Sequence, residues 1–220
     1  MSGFKDKSLN AKIAKNMLEK IISKVLSCCE LMLTDCRSES KKINNHEEDI
    51  RDYLLHNYLD NDHIREKVGL REFLFTPEVP ENYMDDKPKG RVDLKVISVD
   101  TFSFRDKYFI FECKRIDGSK TLNRAYLKDG VNRFVGDSPP LYSSYYKRNC
   151  MFGFVVKNID IGLNTNKINQ LQNEEYPAIS VKNEMVADRK FLHTYISCYW
   201  VDHTEIKLHH LFYDFSSIIR

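Results

Sequence analysis

Apolar residues recur at close to helical spacing over residues 9–36, with Ile13, Met17, Ile21, Val25, Leu26, Leu31 and Leu33 on the repeat, which predicts one long helix. After a polar stretch a second helix is expected to start at Asn44 or Asn45, both good N-cap types, with Glu47, Glu48 and Asp49 in its first turn and Ile50, Leu54 and Tyr58 as its buried stripe. The period then shortens. Residues 72–79 (EFLFTPEV) read as a strand ended by Pro80 and by the polar loop DDKPKG. Residues 91–116 hold two runs of Val, Ile, Phe and Tyr around a polar centre, which predicts a strand, a turn and a strand. Helical spacing returns over 122–135, weakened or broken at Gly130, and the nearly all-apolar run 151–156 (MFGFVV) predicts a strand covered on both faces. Residues 158–176 suggest a loop and a short polar helix, and 191–200 and 205–212 two closing strands.

Composition narrows this to a folded domain. A chain of 220 residues with 42% hydrophobic content can bury one substantial core, and thirteen Phe and twelve Tyr against eight Gly and six Pro exclude a disordered class. The expected division is a helical extension at 1–36, packed on the core or on a partner, and a single domain at 37–220. Net charge is only +2, but residues 114–148 carry eight basic side chains against three acidic ones, so positive charge is concentrated there. The six cysteines show no C-x-x-C pair and no zinc spacing with the histidines; His193, His203, His209 and His210 read as structural. With no secretory pattern and no apolar run of bilayer length, the expectation is a cytoplasmic protein without a membrane partner.

Candidate chemistry is concentrated in the 91–116 hairpin. If its turn centres between Phe102 and Ser103, antiparallel pairing puts Asp93 opposite Glu112 on one face of the sheet. Alternation adds Lys114 to that face and turns Phe109, Phe111 and Cys113 the other way, into a core. Two carboxylates, helped by the Cys113 carbonyl, suit Mg²⁺, with Mn²⁺ able to substitute; an ammonium beside them can orient a water and offset charge on phosphorus. The same residues also suit an ordinary edge strand, with Lys114 and Arg115 blunting it. Glu47 falls on the Ile50–Leu54 stripe of the second helix, where an inward carboxylate needs a partner, whereas Glu48 is rotated away by about 100°. Glu78, on the preceding strand, could approach the site.

Asp93 followed, across a short hairpin, by Glu112-Cys113-Lys114 resembles the PD-(D/E)XK, or restriction-endonuclease-like, nucleases, with Val92 standing where that family has proline. The resemblance implies an α/β fold with an αβββαβ core, a central mixed sheet flanked by helices, here with a long N-terminal helix and extra C-terminal strands. It implies an Mg²⁺-dependent phosphodiesterase of the endonuclease type, acting on DNA ahead of RNA, in a setting such as bacterial or phage defence. Asp93 and Glu112 would hold the metal, Lys114 would serve the attacking water, and Glu47 resembles the extra acid that the family supplies from a helix before the sheet. Lys89, Arg91, Arg115, Arg124, Tyr126, Lys128 and Arg133 are the candidate nucleic-acid contacts; relatives often carry a polar side chain on the helix of Arg124 and Tyr126. The alternative is a non-catalytic nucleic-acid-binding or protein-interaction module on the same fold, whose first helix joins a second copy or a partner protein.

Overall fold

The first apolar repeat forms α1 (Lys7–Ser38), and the computed structural model describes residues 7–84, 87–99, 107–136, 140–142 and 146–220, the side chains of 7–9 and 82–89 excepted. Of the two placements open to α1, it takes the core: Leu18, Ile21, Val25, Cys28 and Met32 are buried in one cluster with Phe111 and Phe152 of the sheet. The second helix, α2 (Glu47–Leu54), runs on as a π-helical turn, Leu55–Leu59, and Ile50, Leu54 and Tyr58 are buried as the stripe requires. Its N-cap is His46, without a side-chain cap bond, rather than Asn44 or Asn45. Both asparagines are otherwise engaged, Asn44 Oδ1 accepting from Arg220 and the backbone and side-chain oxygens of Asn45 accepting from Arg115. A short α3 (Asp62–Val68) follows, capped by Asn61.

Among the described residues seven strands make one mixed sheet: β1 (Phe73–Met84), β2 (Lys87–Ser98), β3 (Phe109–Ile116), β4 (Arg148–Val155), β5 (Val181–Ala187), β6 (Thr194–Val201) and β7 (Thr204–Asp214). Their order is β1-β2-β3-β4-β7-β6-β5. β4 lies parallel to β3 and to β7, and the other pairings are antiparallel. β1 continues past Pro80, and four of the six residues of the expected DDKPKG loop belong to β2; β1 is the outermost strand, where proline removes no needed ladder bond. The turn expected at Phe102 and Ser103 lies outside the described residues. β5 carries no strong pattern in the sequence, because Met185 is its one buried position.

The parallel step from β3 to β4 crosses through α4 (Lys120–Tyr126), a π-helical turn (Leu127–Val131) and α5 (Asn132–Val135), as a parallel pair demands. Gly130 sits in that turn rather than breaking the helix. A Cβ there would lie 2.4 Å from Met151 Cε and 3.4 Å from Lys114 Cγ, so the bare backbone lets the helix close over β3 and β4. After β4, α6 (Ile161–Glu175) completes the second helical layer. α1 to α3 cover the face bearing Phe109, Phe111 and Cys113, and α4 to α6 cover the face bearing Ile110 and Ile116. The protein is thus α/β, with helices on both faces of a mixed sheet. No helix among the described residues is long and apolar enough to cross a membrane.

On β7, His209 and His210 are buried. Arg148 donates to His209 Nε2 at 2.7 Å, and His210 is bonded on both ring nitrogens, to Tyr126 Oη and Ser197 Oγ. Cys113 and Cys150 are buried free thiols.

Candidate functional site

β2 and β3 pair through Leu94↔Phe111, Lys95↔Ile110 and Val96↔Phe109, a register that sets Asp93 across from Glu112. At that point the ribbon turns. Leu94 packs with α1 and α2, but Val92, two residues away, packs in the opposite layer, although alternate residues of a regular strand share a face. β1 makes the same exchange between Phe75 and Val79. Between them, flanked by the pairs Pro77↔Leu94 and Val79↔Val92, sits Glu78 in the left-handed region at φ 55°, a conformation that costs a non-glycine residue about 1–2 kcal/mol. β2 therefore departs from β3 beyond Leu94 and leaves part of the β3 edge to other partners.

Side-chain carboxylates take over that edge. The Cys113 amide donates to Asp93 Oδ2 at 2.7 Å and the Arg115 amide to Glu47 Oε2 at 3.1 Å, so two backbone donors that a neighbouring strand would have used are satisfied by acids. The Lys114 ammonium is then enclosed by oxygen. Its Nζ lies 2.6 Å from the Cys113 carbonyl, 2.8 Å from Glu47 Oε1, 3.1 Å from Glu112 Oε1 and 3.8 Å from Asp93 Oδ2. Glu112 is fully buried, and while its Oε1 also receives Arg133 at 2.9 Å, its Oε2 is buried without a hydrogen-bond partner.

Two further groups frame these acids. Arg133 also donates to Tyr142 Oη, which in turn donates to the Arg91 carbonyl, linking α5, the segment after it and β2. Arg51, one turn after Glu47 on α2 and only 4% exposed, donates through one nitrogen to Glu78 Oε1 and to Asp93 Oδ1 at 3.3 Å, and through Nε to Asp52 at 2.8 Å. Arg91 holds the other oxygen of Glu78 at 3.0 Å.

Burial, reinforced by the neighbouring Asp93 charge, pushes the Glu112 carboxyl up to about 8. Lys114 and Arg133 oppose this, but both approach the same oxygen, so they do not offset the desolvation of the other. Burial works against the charge on Lys114, yet Glu112, Asp93 and Glu47 together hold its ammonium above the usual lysine range. Lys114 is accordingly a permanent cation near neutral pH, able to donate and unable to act as a base.

The sequence-predicted residues separate into two groups. Asp93, Glu112, Lys114, the Cys113 carbonyl, Glu47 and Arg133 are gathered within one cluster, and Glu48 is exposed. Arg91 borders it through Glu78. Tyr126 is corrected: it is wholly buried and bonded to His210, so its ring cannot reach a ligand at the surface. Arg115 is half-buried and spent on Asn45, bracing the segment that leads to Glu47. Arg124 pairs with Glu175 of α6 at 2.6 and 2.7 Å, away from the acids, and Lys128 is exposed on the π-helical turn. The Lys89 side chain lies outside the described residues. Arg51 is not among the sequence candidates; Glu78, expected to be able to approach the site, does so through Arg51 and Arg91, and Tyr142, from a loop rich in aromatic and basic residues, joins it through Arg133. Arg51 carried a signal, since it shares the inward side of α2 with Glu47 at the i, i+4 spacing.

No protein-family model, no curated protein and no solved structure matches the chain. Among the described residues there is no group of three or more His, Cys, Asp and Glu side chains placed to hold a metal ion. What the cluster offers is an all-oxygen donor set of Asp93, Glu112 and the Cys113 carbonyl with one buried oxygen left over, and an ammonium drawn into its middle. A hard cation accepts such donors and needs only one or two carboxylates, so the residues fit Mg²⁺ or Mn²⁺.

Proposed function

We propose that the chain is a divalent-metal-dependent phosphodiesterase acting on nucleic acid, DNA ahead of RNA, on a restriction-endonuclease-like core. The observation that carries this reading is the buried Glu112, whose Oε2 has no hydrogen-bond partner, while its Oε1, Asp93 and the Cys113 carbonyl surround the Lys114 ammonium. The order helix, three antiparallel strands, crossover helix and parallel strand is the one the resemblance implies. Asp93, Glu112 and the Cys113 carbonyl would hold the ion, which when bound supplies Lewis acidity at a phosphoryl oxygen and lowers the pKa of a coordinated water. Lys114 donates to the attacking water and to the phosphoryl oxygens, orienting the first and offsetting charge on the second. Glu47 keeps that ammonium in place. Arg133 and Arg91, more exposed than the acids they pair with, would meet the phosphate. Lys128 adds exposed positive charge along the same helical segment, with DNA as the partner.

Cleavage of a labelled DNA duplex and a single strand, with Mg²⁺ and with chelator, tests this. Activity should require Mg²⁺ and fall by about two to four orders of magnitude in Lys114→Ala, the range expected for a positioned group in phosphoryl or acyl transfer. Retained cleavage by a folded Lys114→Ala protein overturns the mechanism.

A second reading is favoured by one observation: Asp93 and Glu47 already satisfy backbone donors of β3, and Lys114 already neutralises them. On that reading the cluster is a structural plug at an abandoned strand edge, and the domain binds nucleic acid or protein without turnover. It predicts DNA binding that is indifferent to Mg²⁺.

A further inference from the structure

The acids of the site do not aim themselves. Asp93 lies where β2 leaves β3, and a side chain at such a departure has no ladder to fix its direction. Arg51 supplies the fixed point. It is buried, rises from α2 on the far side of Asp93, and takes Oδ1 while Oδ2 is left for the Cys113 amide and the Lys114 ammonium. Arg51 is itself held by Glu78, whose left-handed backbone falls opposite Asp93 in the β1–β2 register, where both strands change faces. An L-residue keeps such a backbone only where its surroundings demand it, and such positions cluster where geometry serves function. Here the demand is visible: Glu78 places its two oxygens on two arginines from different elements, Arg51 of α2 and Arg91 of β2.

We propose that Arg51 and Glu78 are positioning residues that set the direction of the Asp93 carboxylate, rather than surface ion pairs. The proposal rests on Asp93 being a ligand of the proposed metal, but it has a reporter that needs no metal. The Cys113 amide proton is bonded to Asp93 Oδ2, so its exchange rate records whether that carboxylate stays in place.

The test uses the full chain and three variants. Glu78→Asn keeps a residue tolerant of the left-handed region and removes the charge. Arg51→Met removes the guanidinium and keeps the apolar stem, and Arg51→Lys restores the charge without the fork that reaches several acceptors. Amide hydrogen exchange at Cys113, compared with the other β3 amides and with the urea midpoint, should accelerate about tenfold or more beyond any global change in Glu78→Asn and Arg51→Met, with partial rescue in Arg51→Lys. Calorimetric titration with MnCl₂ should show affinity lowered about 10- to 100-fold in the same two variants, the range for outer-shell partners of a ligand. Unchanged relative exchange at Cys113 overturns the proposal, whatever Mn²⁺ does. Wild-type protein that takes up no Mn²⁺, while Cys113 still responds to the variants, removes the metal reading and leaves the positioning role standing.

Discussion

The behaviour of Lys114 follows from its confinement. An ammonium 7% exposed as a residue, with four oxygens from three acids and a carbonyl around it, is stabilised by those charges as much as it neutralises them. Removing one partner of a buried ionic group leaves the others desolvated and unpaired, which costs about 3–5 kcal/mol. Lys114→Met should therefore lose about that much stability in chelator, by urea denaturation, and recover a large part of it when Mn²⁺ is added, because a divalent ion can then meet the same acids. Wild-type stability in this variant would mean that the acids are not held against one another as the geometry indicates. Sequence reading reached these residues through two periodicities, the alternation of β3 and the stripe of α2. Tyr142 reads in sequence only as one aromatic of a basic loop that could stack on bases; its buried bonds to Arg133 and the Arg91 carbonyl depend on the packing of the segment after α5 against β2. Tyr126 suits both a nucleic-acid contact and a core ring in the sequence, because an amphipathic helix does not announce which of its aromatics is innermost.

At the scale of elements, the hairpin register was legible because a symmetric pair of apolar runs admits few pairings, and the pairing centred between residues 102 and 103 is the one observed. The kink at Glu78 was not legible. Nothing in EFLFTPEV distinguishes a strand that changes faces from one that stops at proline, and the reason lies in arginines from α2 and β2 that meet Glu78 only in the folded chain. α1 was readable as a helix but not as a core layer, since an amphipathic stripe fits a partner as well as a sheet. β7 carries a consequence of its own. Burial, with the Arg148 charge adding at His209, holds both His209 and His210 down to about 3, and Arg148 can only donate, so His209 Nε2 must stay unprotonated. Unfolded histidine titrates near 6.5, so these two groups add stability above that pH and lose it as the pH falls towards 3, since the unfolded chain takes up protons the fold refuses. Between pH 5.5 and 4.5 they should together contribute a slope of about 3 kcal/mol per pH unit, in equal shares. His210→Gln should remove about half of it in urea titrations across that range; an unaltered slope would place the acid sensitivity elsewhere.

At the scale of the whole molecule, the sheet divides its labour. β4 and β7 are buried between helices and supply rigidity, while β1 and β2 twist away at one edge and open the only stretch of β3, among the described residues, where acids rather than strands meet the backbone. Three buried charged side chains, Arg51, Glu112 and Lys114, meet at that opening. On the proposed reading, this opening receives one divalent ion. Isothermal titration of MnCl₂ into metal-free protein tests it most directly, with Asp93→Asn and Glu112→Gln as controls. One ion should bind per wild-type chain, with an affinity lowered by more than about tenfold in each variant; no saturable binding by wild type, or equal binding by all three, overturns the metal site.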